Sequence, residues 1–190
     1  MKKFLVLLTV CVFLAGCLSS PVPLIPETDL VLPFQGDTRG LLFNQDRDDP
    51  TRWDTEPSES YLLKRRDKRY ALFGTKEGAS GEVVEMAEIA FADLNAGTGL
   101  LLVQLRFVGQ DSSGKYSYGI IRRVGEKLFF AFPRMRDVSS GDYEKLWAKY
   151  ACKSGTWLLG DTCRDFQSYE EVREVLEVAE PSYKAYMLIR

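Results

Sequence analysis

Hydrophobic and polar positions alternate through the middle of this chain. In "GLLLVQLRFVG", Leu101, Val103, Leu105 and Phe107 share one parity and Gln104 and Arg106 the other, as in a strand with one buried face. "KYSYGIIRRVG" places Tyr116, Tyr118 and Ile120 together, and "KLFFAFPRM" follows after a tight turn at Gly125-Glu126-Lys127. Upstream, "YLLKRRDKRYALF" (Tyr61 to Phe73) reads as a hairpin turning at Arg66-Asp67-Lys68. "GEVVEMAEIAF" (Gly81 to Phe91) is a β-branched run with partial alternation. A short strand is expected at Gly40 to Phe43, inside a loop-rich stretch from Gly36 to Glu59. The separators "DLNAGTG" and "GQDSSGK" carry turn chemistry and are too short for parallel crossovers, so the strands predict an antiparallel meander.

The period then changes. In "SSGDYEKLWAKYA", Ser139 or Ser140 can cap a helix whose Tyr143, Leu146, Trp147 and Tyr150 form one apolar stripe. In "SYEEVREVLEVAEP", Ser168 and Glu171 have capping-box spacing, Val172, Val175, Leu176 and Ala179 make the stripe, and Pro181 stops the helix. "YKAYMLI" (Tyr183 to Ile189) reads as a last strand returning to the sheet. Strands followed by two helices predict an α+β fold, an antiparallel meander sheet with both C-terminal helices packed on one face.

The N-terminus has a different character. Met1-Lys2-Lys3 precedes an apolar run from Phe4 to Leu14, which is shorter than the ~20 residues a membrane helix needs. The run ends in Leu14-Ala15-Gly16-Cys17, and "LAGC" resembles the lipobox of bacterial lipoprotein signal peptides. That resemblance covers roughly the first 20 residues. It implies a diacylglyceryl group on the Cys17 thiol and cleavage between Gly16 and Cys17, leaving an acylated new amino terminus. Each buried methylene is worth ~0.8 kcal/mol, so two or three chains hold firmly. Leu18 rather than Asp follows Cys17, which by resemblance to lipoprotein sorting signals favours the outer membrane, with the domain facing the periplasm. Pro21, Pro23, Pro26 and Pro33 suggest an extended tether. The expected organisation is therefore residues 1–16 as signal peptide, 17–33 as lipidated cysteine and proline-rich tether, and 34–190 as one globular domain.

Composition narrows the partners. Without residues 1–16, which hold two lysines and no acids, 23 basic residues stand against 27 acidic ones, a net charge of −4. That balance argues against nucleic acid. Once Cys11 is removed and Cys17 lipidated, Cys152 and Cys163 remain, and in an oxidising envelope such a pair reads as a disulfide. Two thiolates and no histidine do not make a structural zinc site.

The absence of histidine also removes the usual general base near neutral pH, and Ser-His-Asp and Cys-His catalysis with it. Nothing in the pattern asks for a cofactor. In "NQDRDDP", Asn44, Asp46 and Asp48 alternate as calcium ligands would, but Asp49 replaces the turn glycine and Thr55 stands where the closing glutamate belongs, so a solvated acidic loop is the better reading. The basic run Lys64, Arg65, Arg66, Lys68 and Arg69 could touch anionic headgroups or an acidic partner, or could simply protect an edge strand. Trp157, Leu158 and Leu159, inside the disulfide loop, either cap the core or form a rigid binding tip. The aromatic set Tyr116, Tyr118, Phe129, Phe130, Phe132, Trp147 and Trp157 is mostly core by default. The expected function is a membrane-anchored, non-catalytic binding or accessory module for an envelope protein or assembly. The alternatives are a hydrolase with two carboxylates across a cleft, or a lipid carrier with a wide apolar cavity under Trp147 and Val175.

Overall fold

The computed structural model describes residues 18–46, 48–49, 51–75, 82–95, 98–109, 114–138, 140–155 and 162–190. Cys17, Ser139, Trp157, Leu158 and Leu159 lie outside the described residues. Eight strands follow the expected order: β3 (Thr38–Asn44), β4 (Glu59–Arg66), β5 (Arg69–Thr75), β6 (Val83–Asn95), β7 (Leu100–Phe107), β8 (Tyr116–Val124), β9 (Lys127–Ala131) and β10 (Ala185–Ile189). Two short strands precede them, β1 (Ser19–Ser20) and β2 (Leu30–Val31).

The meander does not stay open. Strand β10 pairs antiparallel with β9 on one edge (Met187 opposite Leu128) and with β3 on the other (Met187 opposite Leu42). The order β3-β4-β5-β6-β7-β8-β9-β10 therefore closes on itself. This overturns the α+β expectation: the described residues form a closed, eight-stranded, up-and-down β-barrel with two added strands and two short α-helices. The physical reason is edge satisfaction. An open sheet would leave the backbone groups of two edges unpaired, and closure pairs them all.

Closure creates two cores. Inward-facing Leu63, Tyr70, Ile89, Phe91, Val103, Ile121, Leu128 and Met187 fill the lumen. Mid-strand glycines make room for them. A Cβ on Gly119 would lie 2.7 Å from the Ala131 carbonyl and 2.8 Å from the Phe132 ring, and one on Gly40 would overlap the Met187 sulfur. The second core lies outside the barrel. The helices α1 (Ser140–Lys149) and α2 (Tyr169–Val178) sit in the connection between β9 and β10. Their Leu146, Tyr150, Val172, Val175 and Leu176 cover Ala90, Ala92, Leu102 and Ile120 on the outer wall of β6, β7 and β8. Those strands are buried on both faces, which explains their near-continuous apolar runs.

Ser168 caps α2, accepting from Glu171 N at 3.3 Å, while the Glu171 carboxylate turns to Arg164 and the Gln167 amide. Ala179 ends that helix, two residues before Pro181. Cys152 and Cys163 are joined by a disulfide between the helices, closing a short loop worth about 3 kcal/mol in the chain-entropy account.

The proline-rich segment is not a free tether. Its short apolar residues find pockets on the wall, and its backbone finds partners there. The Leu18 carbonyl accepts from Tyr118 N at 3.2 Å, and β1 pairs with Tyr116 and Ser117 of β8. The Leu24 and Ile25 amides donate to Gln104 Oε1 at 2.9 and 3.3 Å. Gln104, read from its parity as a solvent-facing residue, is only 2% exposed for that reason. Ser20 Oγ lies 2.7 Å from the Tyr118 hydroxyl, whose pKa burial pushes up to about 12. Strand β2 then pairs with β6, and Phe34 enters one end of the barrel against Tyr70 and Phe91.

Filling the Gly119 position tests lumen packing. Gly119→Val is expected to lower stability by about 1–3 kcal/mol in thermal melts through overpacking. Gly36→Ala, where nothing lies within 4 Å, should be near neutral. Equal melting of Gly119→Val and the parent would contradict the inward placement of Phe132.

Candidate functional site

In an up-and-down barrel the connections alternate between two ends. The β4–β5, β6–β7 and β8–β9 turns share one end, where Phe34 packs into the lumen and a pocket of about 190 Å³ lies beside it, lined by Val31, Leu32, Leu101 and Arg123. Phe34 is 6% exposed there, and its amide and carbonyl both bond the Tyr70 hydroxyl, at 3.2 and 2.6 Å. The opposite end, framed by the β3–β4, β5–β6, β7–β8 and β9–β10 connections, is different. The register places Leu42, Tyr61, Leu72, Phe107 and Phe130 inward near that end, with Phe132 just beyond β9. All six stay partly exposed rather than buried. They form an apolar mouth over the packed lumen.

Among the described residues, a polar pair stands at the mouth. Tyr61 donates its hydroxyl to the Glu59 carboxylate. Burial, the hydrogen bond to Glu59 and the Glu59 charge together hold the Tyr61 hydroxyl well above the usual phenol range, so it stays protonated. Glu59 itself is partly exposed. Barrel mouths are among the places where ligand sites occur.

Of the sequence-predicted sites, the basic run falls elsewhere, the acidic loop lies in the β3–β4 connection, and Trp157, Leu158 and Leu159 lie outside the described residues. The basic run lies on β4, β5 and their turn, inside a closed barrel rather than on an edge strand, and much of its charge is satisfied internally. Arg66 makes a two-pronged contact with Glu85 at 2.9 and 2.7 Å, Arg69 pairs with Glu27 and Glu88, and Lys68 donates to the Glu27 carbonyl at 2.9 Å. Arg65 donates to the Asp67 carbonyl at 3.0 Å, and the Lys64 ammonium sits 4.8 Å from the Phe73 ring centre. In the acidic loop, Asp46 Oδ1 accepts from the Asp48 and Asp49 amides and Asp49 accepts from Thr51, so these carboxylates staple their own turn. Among the described residues, no group of three or more metal-ligating side chains converges.

The carboxylates with displaced pKa values are displaced downward, several of them by cations. Burial opposes the charge on Glu88, but hydrogen bonds from Arg69 and Arg106 outweigh it. Arg164 lowers Glu171, and Lys149 with Tyr150 lowers Glu174. At Asp165, Lys115 and Ser19 likewise overcome burial.

The wide cavity imagined under Trp147 and Val175 is not formed, because Val175 is completely buried in the outer core. A groove of about 370 Å³ opens beside it instead, between α2 and the wall, lined by Leu94, Leu100, Ile120 and Leu176 and crossed by Arg173, which donates to the Leu94 carbonyl.

Two features escaped sequence reasoning. Phe129, assigned to the core, faces outward and joins Trp53, Phe43, Tyr183 and Tyr186 in an aromatic layer on the outer wall, with Phe43 and Tyr186 stacked at 4.9 Å. The mouth was also missed, since its rings read as ordinary core. The available signal was Gly40, Gly74 and Gly119, each interrupting a strand where a bulky side chain must pass.

The fold and mouth define this chain as an eight-stranded up-and-down barrel, a class compatible with carrying a small ligand or lipid. No protein-family model, curated protein or solved structure matches the chain.

The Arg69–Glu88–Arg106 bridge ties β5, β6 and β7 across the outer wall. Because the Glu88 pKa is lowered on folding, its contribution is full above the ordinary carboxylate range and is lost as pH falls through the folded value. Glu88→Gln should cost about 1 kcal/mol at neutral pH, and the deficit should shrink as pH drops below ~4. A deficit that is constant in pH melts would contradict the ionic account.

Proposed function

We propose that this chain is a lipid-anchored protein of the bacterial envelope, held by an acylated Cys17, at the periplasmic face of the outer membrane. Its barrel is a non-catalytic binding module that takes one apolar chain, of acyl type, at the mouth. The observation that carries this reading is the asymmetry of the lumen. Phe34 is buried in the lumen at one end, while among the described residues the other presents partly exposed Tyr61, Leu72, Phe107, Phe130 and Phe132 beside the Tyr61–Glu59 pair.

An eight-stranded barrel has room for its own side chains or for one small ligand. This lumen is occupied by flexible Met187, with Met86 beside Gly74, and methionine repacks more readily than branched or aromatic residues. An acyl chain would enter by displacing such side chains from the open end. Glu59 selects the polar end of that ligand. Its carboxylate repels an anionic head and accepts hydrogen bonds from a hydroxyl or amine, so the favoured class is a neutral or amine-headed lipid over a free fatty acid.

Binding is measured on a lipid-free form, with residues 1–16 removed and Cys17→Ser, by displacing N-phenyl-1-naphthylamine with a monoacylglycerol. Saturable one-to-one binding is expected. Phe130→Lys should weaken it and lower the melting temperature, because the ring packs on the lumen core, while the variant remains folded at the assay temperature. Probe fluorescence that never saturates, or is indifferent to Phe130→Lys, would sink the reading.

A further inference from the structure

The groove between α2 and the outer wall has an apolar floor and an unmatched charge at its end. Leu94, Leu100, Ile120 and Leu176 make the floor and Ala179 and Pro181 the rim, around a volume of about 370 Å³. The charges that line it cancel, because Arg173 is bonded to Glu177 at 2.7 Å and to the Leu94 carbonyl at 3.0 Å. Arg122 is placed differently. It follows Ile120 by two residues on β8, so both share the outer face. Its partners across the ladder are Leu100 on β7 and Phe129 on β9. An exposed guanidinium therefore stands in a row of apolar side chains, next to the groove floor.

Tyr183 stands beside it, packed edge-to-face on Phe129 at 6.0 Å. Burial raises the Tyr183 pKa and the Arg122 charge partly offsets that, so the phenol stays protonated within the field of the guanidinium. Among the described residues, neither the Arg122 guanidinium nor the Tyr183 hydroxyl has a hydrogen-bonding or ion-pair partner. By contrast, Arg66, Arg69, Arg106, Arg164 and Arg173 are each paired with a carboxylate.

We infer that this groove is a second binding site, for a compact amphipathic carboxylate. The apolar body lies on Leu94, Leu100, Ile120 and Leu176, and the carboxylate accepts from the Arg122 guanidinium and the Tyr183 hydroxyl. A guanidinium fork matches a carboxylate in two-pronged geometry. The volume is near the lower limit of ligand sites, ~300–1,000 Å³, so the body is a single aromatic ring or a short chain and not a whole phospholipid. The site is separate from the mouth. It lies outside the barrel, and its cation selects the head charge that Glu59 repels.

The test is photoaffinity labelling of the full-length protein in dodecylmaltoside micelles, mapped by peptide mass spectrometry. The probe is a trifluoromethyl-diazirinyl benzoic acid, and the matching benzyl alcohol is its uncharged control. Saturable insertion of the acid is expected at Leu100, Leu176 and Pro181, competed by excess naphthoate. Arg122→Gln should reduce it about ten-fold, the effect of losing one charge-assisted contact, and Arg122→Lys should reduce it less. The alcohol should label weakly and equally in all three proteins. Arg122 is exposed, so neither variant should shift the melting temperature. Insertion that never saturates, is unchanged by Arg122→Gln, is equally strong with the alcohol, or falls on Phe107 and Phe130 instead would overturn the inference. Monoacylglycerol binding at the mouth is read separately, so either site can fail alone.

Discussion

The architecture depends on one five-residue strand bonded along both edges. Strand β10 takes β3 on one side and β9 on the other, and backbone bonds continue past both of its ends, from Gln45 N to the Lys184 carbonyl and between Arg39 and Arg190 in both directions. Its inward Met187 fits only because Gly40 faces it without a side chain. Remove this strand and the barrel becomes an open sheet with two unsatisfied edges and an unroofed apolar lumen. β10 is delivered by a long helical connection that is itself pinned. A bridge between Val138 and Ala179, the Glu180 amide on the Asp137 carbonyl, and the disulfide between the helices all restrict where the chain can re-enter the sheet.

A second consequence of closure is that half of the outer wall must also be covered. Strands β6, β7 and β8 carry apolar residues on both parities, so an uncovered wall would expose Ala90, Ala92, Leu102 and Ile120. The helices cover one part and the Leu18 to Leu32 segment another. The hydrogen bonds that fasten this segment are buried ones, between Gln104 and the Leu24 and Ile25 amides and between Ser20 and Tyr118. Buried polar groups left without partners are costly, so the fastening is specific in position as well as apolar in strength. The same fastening removes the freedom a tether would have provided.

Much of the local structure could be read from residues. The parity of Leu101 to Phe107, the turn at Asp67-Lys68, the Ser168 cap and the stripe of Val172, Val175 and Leu176 each depend on neighbours within a few positions, and each stands where the pattern puts it. Closure could not be read that way, because Gly40 and Ile189 pair across almost the whole chain and neither residue carries a local signal of the other. Gln104 misled for a related reason: its parity is correct, but the surface it faces is covered by a segment about 80 residues upstream. The mouth was hidden because Phe130 and Phe132 alternate like any core strand, and partial exposure is a property of which barrel end they reach. The ion pairs within the basic run were not legible either, because the sequence shows Arg66 and Arg69 but not Glu85 and Glu88 across the next strand pair.

Backbone amide hydrogen exchange across Tyr186 to Ile189 tests closure most directly. A strand bonded on both edges exchanges only with deep opening of the fold, so these amides should be among the slowest in the protein, comparable with Phe91 to Leu94 and Leu102 to Leu105. Exchange at the rate of a frayed terminal strand, with β6 and β7 still protected, would mean an open sheet and would contradict the barrel, its mouth and the function proposed for it.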